Sequence, residues 1–261
     1  MWWGSERIMT VDSLNEIGNF LKDHAFDMPT LFKAYNYDGD SYREGFPKMF
    51  VLERRISYSA RNNLFDQDDL MKIAEWGHLR NKKPIEHIDW KFKITLYVNN
   101  APARWLKDES GNIVSIVKER IPGYGATFSS KLLHFAVPSV FGMLDTWLVR
   151  TFGEGDPDCQ KYKFLKLEAT NPVNKKTKKK SGWAISTSPE SWPSEYGTWI
   201  QILNNISCTL NDEKIKCPHP LNYIQSGLRK EGVWYPADVE TALFSYAYEG
   251  RGENIIKKSL D

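Results

Sequence analysis

The chain has 261 residues, 41% of them hydrophobic and 26% charged, with 17 glycines and 13 prolines, which excludes collagen-like, coiled-coil-only and wholly disordered chains. Its three cysteines, Cys159, Cys208 and Cys217, are too few for a disulfide framework or a four-thiolate metal or iron–sulfur site. The formal net charge of +2 conceals five lysines packed into residues 174–180 (NKKTKKK), so any polyanion contact is local rather than spread over the surface.

Residues 10–24 read as a helix, with Leu14, Ile17 and Leu21 at helical spacing and a capping-box pattern in Ser13 and Glu16. Asp38-Gly39-Asp40 is turn chemistry, and a stretch around 50–57 is helical. Over 66–79, Leu70, Ile73, Ala74 and Gly77 share a face, and Asp66, Asp68 and Asp69 lie near its positive N-terminal end. Residues 81–84 break it. Within 89–106 the run WKFKITLYV alternates like a strand and is long enough for a helix.

Residues 112–120 form a helix with Ile113, Ile116 and Val117 on one side; it stops at Ile121-Pro122-Gly123-Tyr124-Gly125. A second helix resumes over 126–136 and ends before Pro138, and a third begins at 145 with Asp145 as its cap. Residues 162–170 and 183–187 are strand-like, which puts the lysine run at the tip of a hairpin. A Pro- and Ser-rich loop over 188–194 follows. Two more helices are expected: 196–210, buried through Trp199, Ile202, Leu203 and Ile206, and 236–248, buried through Val239, Ala242, Leu243 and Tyr246. No uncharged apolar run is long enough to span a membrane, and Glu6 and Arg7 stand where a signal peptide needs its apolar core. The expectation is a reducing, intracellular setting.

The sharpest feature is IPGYG between two short helices. Two glycines one residue apart allow a tight turn and leave amides bare, while the next helix directs its free N–H groups and positive dipole end at the same point. A phosphate suits that geometry, although such turns also serve plain helix–turn–helix packing. Asp145 follows 22 residues after Gly123, at the start of the next helix. As a bare feature it is an ordinary N-cap.

Together, hairpin and acid resemble the helix–hairpin–helix superfamily of base-excision DNA glycosylases, in particular the oxoguanine-glycosylase-like members without an iron–sulfur cluster. The resemblance covers about forty residues, 112–153, through IPGYGATFSSKLLHFAVPSVFGMLDTWLVRTFG. It implies a mostly α-helical, two-lobed fold with a small β-hairpin insertion. Residues 1–88 and 196–261 would share one lobe, 89–153 would form the hairpin-bearing catalytic lobe, and 154–195 the insertion. It implies DNA as partner, with Gly123, Tyr124, Gly125, Thr127 and Lys131 at the backbone. Apart from the resemblance, Lys175, Lys176, Lys178, Lys179 and Lys180 read either as a solvated loop tip or, the reading favoured here, as added phosphate contacts. It implies Asp145 as the catalytic carboxylate. Carbonyls of Glu119, Ile121 and Tyr124 would hold a structural monovalent cation (K+ or Na+); no other cofactor is expected.

The chain departs from the family at Thr127, where bifunctional members carry the lysine that forms an imine. Threonine cannot, so the resemblance implies a monofunctional enzyme that leaves an abasic site. Lys131 lies one turn further along the same face. Ser129 replaces the family's usual alanine and is small enough to keep the packing.

For the pocket that reads a flipped base, the candidates are Trp76, Trp147, Trp192 and Trp234 with His78 and Arg80, each of which has an ordinary structural reading as well. The five histidines show no metal-ligand spacing, and neither a dinucleotide nor a triphosphate fingerprint is present. The substrate expected is an oxidised or alkylated base, or a hypermodified phage base such as glucosylated hydroxymethylcytosine. A non-catalytic helix–hairpin–helix DNA binder is the rival. A monomer in the cytoplasm, associated with the nucleoid, is the expected state.

Overall fold

A computed structural model describes residues 11–62, 65–86, 103–121, 123–159, 161–173, 180, 182–188, 191–248 and 252–260. They are mostly helical. Among them no helix is long and apolar enough to cross a membrane.

The first helix, α1 (Val11–His24), turns a different face inward from the one its leucines predict. Ile17, Phe20 and His24 are buried, whereas Leu14 is exposed. Ser13 lies inside the helix and donates to the Phe164 carbonyl (3.3 Å), so it is a tertiary contact and not a cap. After α2 (Met28–Lys33), the Asp38-Gly39 turn closes a two-residue hairpin, β1 (Asn36–Tyr37) with β2 (Asp40–Ser41), pairing Asn36 with Ser41. The helix expected around 50–57 extends over α3 (Pro47–Arg61). In α4 (Gln67–Trp76) the predicted face is buried, and Asp66 caps it in a reciprocal box with Asp69. A short α5 (Lys83–Glu86) follows, and of the ambiguous 89–106 stretch only its end is described, within α6 (Ala103–Asp108).

Next come α7 (Ser110–Arg120), α8 (Ala126–Ala136) and α9 (Thr146–Phe152). In α7 the buried pair is Val114 and Val117, and Ile116 is exposed, so the inward face is again rotated from the expected one. The strands expected over 162–170 and 183–187 shrink to β3 (Ala169–Thr170) and β4 (Ala184–Ile185), antiparallel, with Ala169 opposite Ile185. Residues 162–167 do not pair as a strand because their side chains fill the core. Phe164 stacks on Phe152 with ring centroids 4.8 Å apart, and Phe20 stands edge-on to both. Their backbone instead clips to the end of α9, where Phe164 and Leu165 N–H groups donate to the Phe152 carbonyl.

The expected 188–194 loop ends early, since α10 (Trp192–Asp212) starts at Trp192. After α11 (Leu221–Gln225), α12 (Pro236–Ala247) is buried along its whole length, and α13 (Gly252–Leu260) ends the fold. The α12 helix packs against α2, α9 and α10, and α3 packs against α8. Thus α8, buried from Ser129 to Ala136, and α12 are the two interior helices, and both carry charged side chains into the core.

Candidate active site

The α7–α8 connection is a tight turn. The Tyr124 N–H donates to the Ile121 carbonyl (3.1 Å), and Gly123 holds φ +85°, which favours glycine. Gly125 is the N-cap of α8, and no side chain caps the free N–H groups behind it. Gly125 is exposed with an ordinary φ of −85°, and a Cβ there would meet nothing within 4 Å. The protein's own packing therefore does not require glycine at 125. Tyr124 faces the other way: it is 3% exposed, and its hydroxyl donates to the Leu70 carbonyl (2.6 Å). Its side chain is a strut to α4 and is not available to touch DNA.

Asp145 caps α9. Its Oδ1 accepts the N–H groups of Trp147 (2.9 Å) and Leu148 (3.0 Å). Burial pushes its carboxyl above the usual range, opposed by those N–H groups and by Lys131. Lys131, from the middle of α8, is only 8% exposed. Its ammonium lies 4.8 Å from the Trp76 ring centroid and 5.2 Å from that of Phe128. At Gly77 a Cβ would come within 2.7 Å of the Phe128 ring and 2.8 Å of this ammonium, so the glycine leaves room for both. Burial lowers the Lys131 pKa, and the nearby Asp145 and Glu240 work against that shift. Among the described residues Lys131 has no hydrogen bond or ion pair.

Aromatic side chains gather near Asp145. Half-buried Trp147 stands edge-on to Tyr248 (5.3 Å), and Tyr248 meets Tyr37 (5.7 Å) and Phe244 (5.3 Å). Tyr37 is close enough to Asp145 for that charge to help raise its pKa, after burial. On the outer side, the Arg150 guanidinium lies between Trp147 (4.1 Å) and Trp183 (4.4 Å) and pairs with Asp156 (2.5 Å). This stack fastens the insertion to the helix that Asp145 caps.

The other sequence candidates divide. Trp192 and Trp234 are sealed in the core at 1% and 2% exposure, Trp234 with its indole N–H on the Ile215 carbonyl (2.8 Å). They are struck from the base pocket, because no ligand reaches them. Trp76 backs Lys131, and its Nε1 donates to Asp40 (2.9 Å). His78 and Arg80 are exposed beyond α4, His78 beside Asp38 (3.1 Å). Thr127 is half-buried in the first turn of α8, and Ser129 is fully buried. Lys175, Lys176, Lys178 and Lys179 lie outside the described residues; Lys180 is exposed and bridges Val173. Glu119 is exposed, and the Ile121 carbonyl already accepts the Tyr124 N–H.

The sequence reading puts Lys131 at the DNA backbone, whereas the structure encloses it against Trp76 and Phe128; Tyr37, Tyr248 and Glu240 are not among the sequence candidates. The available signal was a lone lysine inside SSKLLHFA, a helix segment with no other long charged side chain.

Cys217, His219 and Asp238 put potential metal-ligand atoms within 4.8 Å of one another. The Asp238 carboxylate is already satisfied: it meets His219 Nε2 (2.9 Å), the Arg229 Nε–H (2.8 Å) and the Tyr235 N–H (3.0 Å). Arg229 in turn forks onto Glu53 of α3. A cation is thus already present in the form of the guanidinium, and the set is a buried ion-pair network.

Compared with known proteins, the chain matches no family model, no curated protein and no solved structure.

Proposed function

We propose that the protein is a DNA glycosylase that cleaves the N-glycosidic bond of a flipped, modified base. The observation that carries this reading is Asp145: a carboxylate fixed by two backbone N–H groups, raised in pKa by burial, and close enough to the Lys131 amine for each charge to oppose the other's shift. Such a group suits a reaction that builds positive charge on a sugar. As the bond breaks, its electron pair leaves with the base, and the Asp145 carboxylate stabilises the cationic sugar. A fixed charge of this kind supplies about 3–4 kcal/mol of barrier lowering. Water then attacks C1′, and its proton passes to the carboxylate. The half-buried rings of Trp147, Tyr248 and Tyr37 offer faces on which a planar base stacks. The uncapped start of α8 and the open side of Gly125 suit a DNA phosphate. A monovalent cation on the carbonyls of Glu119, Ile121 and Tyr124 would add charge there, and no step depends on it.

Lys131 favours a second reading of the same site. A desolvated lysine with no ion pair among the described residues is a nucleophile held ready. In that case its amine, not water, attacks C1′ and forms an imine that opens the sugar and leads to strand cleavage. The substrates proposed are an oxidised or alkylated base, or a hypermodified phage base such as glucosylated hydroxymethylcytosine.

The test is abasic-site formation on lesion oligonucleotides and hypermodified phage DNA, read with an aldehyde-reactive probe. Product from wild type and none from Asp145→Asn supports the glycosylase. Borohydride trapping of a protein–DNA adduct, lost in Lys131→Met, selects the imine route. DNA binding without product on any substrate favours the non-catalytic binder.

A further inference from the structure

Asp40, which the sequence reads as turn chemistry, is fully buried, and its two oxygens go to different helices. Oδ1 accepts the N–H groups of Lys48 (2.7 Å) and Met49 (3.1 Å) in the first turn of α3. The side chain of Phe46, the N-cap residue of α3, makes no cap, so Asp40 supplies one from the hairpin. Oδ2 accepts the indole N–H of Trp76, the last residue of α4 (2.9 Å). The Lys48 ammonium turns away to Asp38, so the Asp40 carboxylate is met by N–H groups and by the positive end of α3. The Trp76 ring is buried and stands edge-on to Phe135 of α8 (5.1 Å), and the Lys131 ammonium lies 4.8 Å from its centroid. The hairpin meets the end of α4 again at the surface, where His78 Nε2 lies 3.1 Å from the Asp38 carboxylate. Across the hairpin Asp40 pairs with Tyr37, whose ring meets Tyr248 (5.7 Å). Tyr248 in turn meets Trp147 (5.3 Å), whose N–H donates to Asp145.

We propose that Asp40 is a positioning residue for Lys131, fixing the Trp76 ring against which the amine rests. Capping α3 takes a single acceptor oxygen, and Oδ1 receives both of its N–H groups. The second oxygen is left for the indole, so a carboxylate does here what serine or asparagine, with one acceptor oxygen apiece, could not. A buried indole held only by apolar contacts is free to tilt in its place, whereas one bond at its edge fixes where its face lies. The face matters, because an ammonium is attracted to the face of an aromatic ring and not to its rim. No hydrogen bond or ion pair holds the Lys131 head among the described residues, so the rings of Trp76 and Phe128 define its place. A displacement of about 1 Å at a reacting group costs on the order of 10²-fold in rate, so a bond that sets the ring also sets the amine. Asp40 thus acts through Trp76, from the far side of the ring system, without touching substrate.

The kinetic arm of the test rests on the imine route proposed above; the spectroscopic arm does not. Wild type, Asp40→Asn, Trp76→Phe and the double variant, all as the full chain, are compared for the rate of borohydride trapping on the lesion oligonucleotides and for Kd on the same DNA. Nuclear magnetic resonance of wild type and Asp40→Asn follows hydrogen exchange of the Trp76 Nε1–H, identified by its loss in Trp76→Phe, and the ring-current shift of the Lys131 ε-methylene. Asparagine keeps its oxygen on α3 and turns its amide donors toward the indole. Trapping then slows by about 10²-fold at unchanged Kd, the indole proton exchanges faster, and the Lys131 methylene loses part of its shift. Phenylalanine keeps a ring without the N–H and slows trapping likewise. The double variant is no slower than the slower single one, because both changes remove the same bond. Wild-type indole exchange and an unmoved Lys131 shift in Asp40→Asn overturn the proposal, as do wild-type trapping in that variant or losses that multiply in the double one. If Asp40→Asn does not fold, Trp76→Phe, which leaves the α3 cap in place, carries the trapping expectation, and a wild-type Trp76 indole that exchanges as fast as an exposed one overturns the tether. If wild type forms no adduct, the imine route fails instead, and the two spectroscopic readouts decide on Asp40.

Discussion

Lys131 of α8 and Asp145 at the cap of α9 bias each other's ionisation, yet Lys131 has no ion-pair partner among the described residues. Burial pushes the amine toward neutrality and the acid toward protonation, and each charge resists the other's shift. An ordinary structural lysine would reach water or close an ion pair. Here the stem is enclosed, the head lies over Trp76 and Phe128, and Gly77 leaves it room. The arrangement costs stability, which is common where reactive groups are held ready.

Asp145→Asn separates cap from charge. Asparagine caps helices about as well as aspartate, so the stability change stays within about 0.5 kcal/mol. The carboxylate is gone, and turnover falls by about 10²–10³-fold with DNA affinity retained. Because the Asp145 pKa is raised, the acid limb of the wild-type rate profile falls above the ordinary carboxylate value of 3.8. Thermal melts, binding isotherms and single-turnover rates over pH check all three.

Lys131→Met keeps the apolar stem and removes the amine. The folded pKa lies below the ordinary 10.5, so the unfolded chain binds more protons between the two values. The wild-type penalty is therefore complete below the folded pKa and shrinks as pH rises through it toward 10.5. At pH 7 the variant is as stable as wild type or more so, by on the order of 1 kcal/mol, and the gap narrows toward pH 10. Urea denaturation at both pH values measures it.

Periodicity and caps made most helices legible: α4, α8, α10 and α12 lie close to where the sequence puts them, and the Asp145 cap is where its residue type says. Faces were harder. In α1 and α7 an apolar residue on the wrong side, Leu14 or Ile116, outvoted the inward ones, because spacing does not say which neighbour arrives. The 162–167 run reads as a strand because aromatic residues alternate there, but its rings were spent on the core around Phe20. The site was half legible. Asp145 and the glycine turn are local signals, whereas Lys131, Glu240 and Tyr37 meet only through packing between distant elements.

The proposed DNA contacts divide into a backbone part at the start of α8 and a charged part in the insertion. Gly125→Ala adds a methyl that meets nothing within 4 Å among the described residues, so folding is nearly unaffected. If a phosphate sits on the start of α8, that methyl stands in its way, and affinity falls by about tenfold at constant salt slope. Replacing Lys175, Lys176, Lys178, Lys179 and Lys180 with glutamine acts oppositely. Every phosphate that the variant no longer neutralises flattens the log K against log salt slope by about 0.9, with melting temperature unchanged. Fluorescence anisotropy across a salt series distinguishes the two, and a slope untouched by either change removes DNA from the account.

Arg229→Met tests the buried network. Arg229 is 4% exposed, and its guanidinium satisfies Glu53 and Asp238 at once, joining α3 to α12. Removing it leaves two buried acids without their cation, at a cost of about 3–5 kcal/mol. Burial alone would raise the Asp238 pKa, but Arg229 and His219 outweigh it and hold the group below its ordinary 3.8. That stabilisation is complete above 3.8 and is lost as pH falls through the lower folded value. The variant has lost it already, so its stability falls less steeply with acid than that of wild type. Replacing Glu53, Arg229 and Asp238 together with apolar residues of similar size restores much of the loss, because no uncompensated charge remains. Urea titrations at neutral and acid pH follow all three proteins, and a single variant as stable as wild type would show that the fork contributes nothing to holding α3 on α12.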